Sequence, residues 1–256
     1  MTQQVLISME NNKHGNLNKQ SRHITAAAVI IACAAGFAVL LYIVVKNGSV
    51  SWDEPVQAFF FSLRQPGLNT LCEAVTYLGN WYTVTVLCLI LLIYPSTRRS
   101  YGVPACVAAI LTQIIKTVIK YSVCRPRPDA AVRLIEESGW SFPSGHAITS
   151  MAVLGVIFLA LLASIKAQKD GAGASSKSAS GLSPGKKKAL LVCCAVFSFA
   201  IGLTRVYLGV HYPSDVAAGW LAGIAVIAIV CILRPQLDRL GGKLDDLAGR
   251  ITGQTD

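Results

Sequence analysis

Charge is scarce in this chain. Asp, Glu, Lys and Arg make up 14% of its 256 residues, where a soluble domain carries roughly a quarter. With 53% hydrophobic residues and a mean hydropathy of +0.53, this excludes an ordinary soluble domain and points to a membrane protein. Acidic residues are the scarcer sign, 13 against 23 Lys and Arg, and no carboxylate cluster of the magnesium-binding kind occurs. The eight cysteines include no C-x-x-C pair, which removes the common zinc and dithiol motifs. Most lie in apolar runs, where cysteine behaves as a small hydrophobe. Cys72 and Cys124 fall in loops and form the one candidate disulfide. The net charge of +10 comes without an aromatic-interleaved basic groove, so no nucleic-acid partner is expected. No internal repeat is visible.

What the chain has instead is long apolar runs. Six read as membrane spans: Ile24–Val45, Leu78–Tyr94, Tyr101–Lys120, Ala147–Ile165, Ala189–Tyr207 and Asp215–Leu233. The first holds roughly 22 residues, about 33 Å as a helix, enough to cross the hydrocarbon core and too long for a signal-peptide core. The expected fold is all-α: a polytopic bundle of six transmembrane helices, with an interfacial helix between spans one and two. That helix begins near Asp53, with Pro55 suited to its first turn. Val56, Phe59, Phe60 and Leu63 share one face, which either packs on the bundle or borders a substrate entrance. If the N-terminus is cytoplasmic, the inner loops and tails hold 15 Lys and Arg and the outer loops seven. The positive-inside rule therefore puts both termini in the cytoplasm.

The organisation expected is a cytoplasmic tail over 1–23, a six-span domain over 24–233 and an amphipathic cytoplasmic tail over 234–256. The loop Ala167–Lys188, rich in Gly, Ser and Lys, reads as a flexible linker. In the last segment Leu237, Leu240, Leu244, Leu247 and Ile251 follow a helical stripe. It suits a helix lying on the inner membrane surface, or a coiled coil that would make a homo-oligomer. Gly219 and Gly223 form a G-x-x-x-G in the last span and suggest close helix packing.

Three stretches carry polar groups at the outer ends of spans. In "KYSVCRPRPD", Lys120 ends the third span, and Arg125 and Arg127 each precede a proline that stiffens the loop. Three cations held together suggest a multiply charged anion. Gln113, Lys116 and Lys120 share a helix face, and a buried Lys116 needs to face the bundle interior. In "PSGH", Ser144 suits a helix N-cap, Gly145 allows close backbone approach, and the helix N-terminus favours phosphate oxygens. His146 projects from that first turn. In "TRVYLGVHYPSD", Arg205 ends the fifth span. His211 and Asp215 are four apart, so the carboxylate can hold one ring nitrogen and leave the other free to attack. The helix count puts all three stretches on one side of the membrane.

Lys120-x6-Arg127-Pro128, then Pro143-Ser144-Gly145-His146, then Arg205-x5-His211-x3-Asp215 resembles the three-part signature of the type 2 phosphatidic acid phosphatases. Thr204 stands where the family usually has serine. The resemblance implies that Lys120, Arg127 and Arg205 clamp phosphate oxygens, with Ser144 and the Gly145 amide adding hydrogen bonds. It also implies that His211 attacks phosphorus to form a phosphohistidine, that Asp215 orients it, and that His146 protonates the leaving group. Three fixed cations can do the charge stabilisation that phosphoryl transfer requires, so no metal or other cofactor is expected. The expected substrate is a membrane lipid phosphate or diphosphate in the outer leaflet of the plasma membrane, with undecaprenyl diphosphate favoured. The alternatives are phosphatidylglycerol phosphate or phosphatidate hydrolysis, phosphoryl transfer to a second lipid, and a non-enzymatic lipid-phosphate carrier.

Overall fold

The computed structural model describes residues 3–169 and 182–252, and these are helical throughout apart from their connections. Helix α1 (Gln3–Asn47) holds the first span, followed by α2 (Asp53–Ser62), α3 (Pro66–Tyr77) and α4 (Trp81–Ile93). A short turn, α5 (Pro95–Thr97), leads through π-helical Arg98–Gly102 into α6 (Val103–Val123). Then come α7 (Gly145–Lys169), α8 (Pro184–Tyr207) and α9 (Pro213–Thr252). Among the described residues five helices are long and apolar enough to cross a membrane, and a sixth span results if α3 and α4, bent by 48°, count as one. The all-α, polytopic fold expected from the sequence is the one observed.

The expected second span, Leu78–Tyr94, is seen as α4, preceded across a break at 78–80 by α3. Gly79 explains the break. A Cβ there would lie 2.5 Å from Ile201 and 2.9 Å from the His146 ring, so the chain turns where it has no side chain and passes tightly over the histidine.

Helix α7 is central, packed against α6, α8 and α9. Lipid supplies no hydrophobic driving force between spans, so close fit between small residues holds them together. Added Cβ atoms at Gly219 and Gly223 would lie 2.9 Å from Ala147 and 2.7 Å from Met151. The G-x-x-x-G thus seats α9 directly on the first two turns of α7. Side chains on the lipid side, such as Ile31, Val39, Val118 and Val196, stay exposed.

The apolar face expected on the interfacial helix is split. Phe60 packs against the bundle on the same side as the buried Asp53 and Gln57, while Phe59 and Leu63 are exposed. The C-terminal stripe does not form a separate element: α9 runs on through Pro235. Leu237 and Leu244 join the main core, and Leu240 and Leu247 are exposed. Gly241 lets this extension settle on Arg99, 2.8 Å from where its Cβ would be. Arg98 ties it down through Asp245 at 2.7 Å. Cys72 and Cys124 are both free thiols. Most of the expected linker, 170–181, lies outside the described residues.

Candidate active site

Lys120 ends α6, Gly145 and His146 begin α7, and His211 lies in the turn between α8 and α9. The glycine contacts of α9 with α7 bring these elements to one end of the bundle, around a cavity of about 760 Å³. Lys120, Arg127, Gly145, His146 and His211 all line it. So do Gln113 and Lys116, the polar stripe expected on α6. Ser144, Arg205 and Asp215 are buried behind this lining.

His211 is held from behind. Its Nδ1 is 3.3 Å from Asp215 Oδ2 and 3.3 Å from Ser141 Oγ. The Ser141 hydroxyl donates to the same carboxylate oxygen, so the serine oxygen faces the ring as an acceptor. Both partners therefore favour a proton on Nδ1, which leaves Nε2 unprotonated. Nε2 faces the cavity side and receives an N–H from Arg127 at 3.1 Å. Burial, reinforced by Arg127, Lys120, Arg205 and Arg125, holds the His211 pKa well below the usual histidine range. The ring is thus neutral at ordinary pH.

Arg127 spans the loop and the α8–α9 turn. It donates to Gly139 O, Ser138 O and Val210 O at 2.8–3.0 Å. Burial lowers its pKa to about 10, with Arg205 adding to the shift and Glu137 opposing it. Arg205, 1% exposed, donates to Thr76 Oγ1 at 2.9 Å and forms an ion pair with Glu137. Its Nε has no partner, and neither has the Ser144 hydroxyl. Two buried polar atoms without partners beside a cationic cavity carry the desolvation cost that a ligand would relieve. The expected N-cap bond from Ser144 is therefore absent. Its carbonyl accepts Ile148 N–H at 3.1 Å, the first bond of the helix.

Several site residues were not anticipated. Asn80 Oδ1 sits 2.7 Å from His146 Nε2, placed there by the Gly79 turn. Glu137 provides the counter-charge to Arg205 and, at 3.7 Å, to Arg127. Ser141 completes the support of His211. Glu137 and Ser141 are ordinary loop residues in the sequence and Asn80 falls at the start of the expected second span; none has a spacing relative to the motifs that would flag it. Arg125 is the one residue brought to the wrong place by sequence reasoning. It does not join Lys120 and Arg127 in the cavity but lies behind it, 3% exposed and paired with Asp53 and Asp215.

The model of the PAP2 superfamily matches residues 101–239. Phosphatidylglycerophosphatase B of Bacillus subtilis is 30% identical over 76% of this chain and 89% of its own length. An undecaprenyl-diphosphatase of Sulfolobus acidocaldarius is 28% identical over 61% of this chain and 66% of its own. Among solved structures, the transmembrane PAP2-type phosphatidylglycerolphosphate phosphatase of Bacillus subtilis superposes with a TM-score of 0.63 at 25% identity, covering 78% of this chain and 93% of that one. The chain belongs to the PAP2 superfamily. It is an integral membrane phosphatase of the lipid-phosphatase type, a phosphoric ester hydrolase.

Proposed function

We propose that the protein hydrolyses a lipid phosphate or diphosphate at the outer leaflet of the plasma membrane through a phosphohistidine, without a metal ion. One observation carries the reading: His146 and His211 border the same cavity, with Lys120 and Arg127 on its wall. The phosphate would take Arg127 and Arg205 over from Glu137 and supply the partners that Arg205 Nε and the Ser144 hydroxyl lack. In the first step the Nε2–phosphorus bond of His211 forms and the bond to the leaving oxygen breaks. His146 gives that oxygen its proton, and Asp215 and Ser141 stabilise the charge that His211 acquires. In the second step water attacks phosphorus, His146 takes the water proton, and inorganic phosphate leaves with Nε2 free again.

The outer location rests on the charge asymmetry of the loops. Trp52, Trp81, Tyr82, Tyr121 and Trp140, all at the site end of the bundle and all exposed, suit the level of the headgroups. Undecaprenyl diphosphate and phosphatidylglycerol phosphate are the two leading substrates, since the relatives' names include an enzyme for each.

The test is phosphate release by the purified protein from both lipids and phosphatidate, with and without excess chelator. Turnover of at least one, unchanged by chelator, is expected. Turnover lost to chelator and restored by magnesium would overturn the metal-free mechanism, and no turnover of any lipid phosphate would overturn the function.

A further inference from the structure

Behind His211 lies a buried charge network of which the catalytic steps use only Asp215. Asp53 on α2 is 0% exposed, Asp215 is 0% and Arg125 is 3%. Arg125 Nη1 donates to Asp215 Oδ1 at 2.6 Å and to Ser214 Oγ at 2.8 Å. Its Nη2 donates to Asp53 Oδ2 at 2.8 Å and its Nε to Gly48 O at 3.1 Å. Asp53 in turn accepts from Ser214 N at 2.8 Å, Ser214 Oγ at 2.7 Å and Val50 N at 3.0 Å. One turn along α2, Gln57 Nε2 donates to His211 O at 3.5 Å.

We infer that Asp53 of the interfacial helix is a positioning residue for the nucleophile, acting through Arg125 on Asp215. The two oxygens of Asp215 have separate tasks. Oδ2 meets His211, the Ser141 hydroxyl and the Tyr212 backbone N–H, while Oδ1 is held by Arg125. The carboxylate plane, and with it the tilt of the imidazole, therefore depends on where Arg125 sits. Gly48, Asp53 and Ser214 decide that. Asp53 also neutralises half of a problem: a buried guanidinium with Asp215 as its only carboxylate would draw that carboxylate's charge away from His211. With Asp53 present, Arg125 is shared between two carboxylates, and Asp215 keeps negative charge for the imidazolium that forms on attack. Neither residue touches the substrate cavity, so the effect belongs to the chemical step rather than to binding.

This inference rests on the phosphohistidine reading, and rapid-mix labelling separates the two. Wild type, Asp53→Asn, Arg125→Gln, the double variant and Glu54→Gln are mixed with a short-chain phosphatidate carrying radiolabelled phosphate, and acid-labile protein phosphate is followed. Glu54 is the exposed carboxylate next to Asp53 on α2 and serves as control. For Asp53→Asn, labelling slows roughly 10- to 100-fold, as for loss of an outer-layer partner, while the final amplitude and KM stay near wild type. The double variant is no slower than Arg125→Gln alone, because both act along one path. Glu54→Gln labels at the wild-type rate.

A merely structural role for Asp53 would lower the amplitude and leave the rate constant of the surviving fraction unchanged, which would overturn the inference. Additive effects in the double variant would do the same. If Asp53→Asn does not fold, Ser214→Ala keeps both charges and removes one link on each. A slower rate at full amplitude supports the positioning role, and a wild-type rate rejects it. If wild type takes up no label while releasing phosphate, the covalent mechanism fails and the inference with it.

Discussion

Both ends of the bundle use buried arginines to tie helix ends together, but they use them differently. At the end away from the cavity, Arg98 has every nitrogen engaged by protein: Leu92 O, Ile93 O, Leu244 O and Asp245. At the cavity end Arg205 reaches Thr76 and Glu137 and keeps its Nε bare. A guanidinium saturated by its own chain and shut off from the cavity is a structural tie. One with a donor left over, beside an open cavity, has capacity for an anion that the protein does not supply. Arg125 belongs with Arg98; Arg127, two residues on, is also engaged at every nitrogen but lines the cavity, so an anion there has to take it over from its present partners.

The contrast is broken most severely at His211, the proposed nucleophile. His211→Asn should reduce phosphate release roughly 10⁴-fold or more, measured against a folded protein of unchanged elution volume; near-normal turnover would remove the assignment of His211. The two arginines come next. Arg205→Gln should lose roughly 10²- to 10³-fold in kcat, the loss typical of a donor that stabilises transition-state charge, with little change in thermal midpoint. Arg98→Gln should do the opposite, keeping kcat/KM while losing about 1–3 kcal/mol of stability. A stable, active Arg205→Gln would show that saturation does not distinguish the two ends.

The pH profile sharpens the comparison further. His211 must be neutral to attack, and burial and the surrounding cations lower its pKa, so the acid limb of kcat/KM should lie below the ordinary histidine value of about 6.5. Removing one cation by Arg127→Gln should raise the His211 pKa and move the limb upward in pH. The same linkage has a stability side. Below about pH 6.5 the unfolded chain protonates His211 while the folded chain does not, so this contribution to stability is lost as pH falls. A limb that does not move in Arg127→Gln would mean that another group sets it.

The smallest effect is expected at Glu137. Glu137→Gln removes a carboxylate that competes with phosphate for Arg127 and Arg205, so KM should fall several-fold with kcat little changed. A rise in KM would instead make Glu137 a support that the arginines need when substrate is bound.

Much of the site was legible because its chemistry is local in sequence. His211 and Asp215 are one helical turn apart, Ser144 to His146 open one helix, and Lys120 and Arg127 flank one helix end. What could not be read lies in pairs distant along the chain. Asp53 and Asp215 reach Arg125 from opposite sides, and Asn80 reaches His146 only because Gly79 lets the chain turn over it. The apolar stripe of α2 was only half informative, since Phe60 packs inward while Phe59 and Leu63 face out. Amphipathic periodicity identifies two faces but, in a membrane, not which one points inward, since lipid accepts the apolar face as readily as a protein core does.

Composition and periodicity alone were enough for the membrane class, a count of spans close to the five or six seen and the motif-bearing helix ends, because burial in lipid demands long uncharged helices and places the exceptions at their termini. The tertiary structure alone decided which cations face the cavity and which are tied behind it. A side chain's direction and its remaining hydrogen-bonding capacity depend on partners that the fold brings in from far along the chain. Arg125 and Arg127 have nearly the same local sequence context, and only their surroundings make one a tie and the other part of the cup.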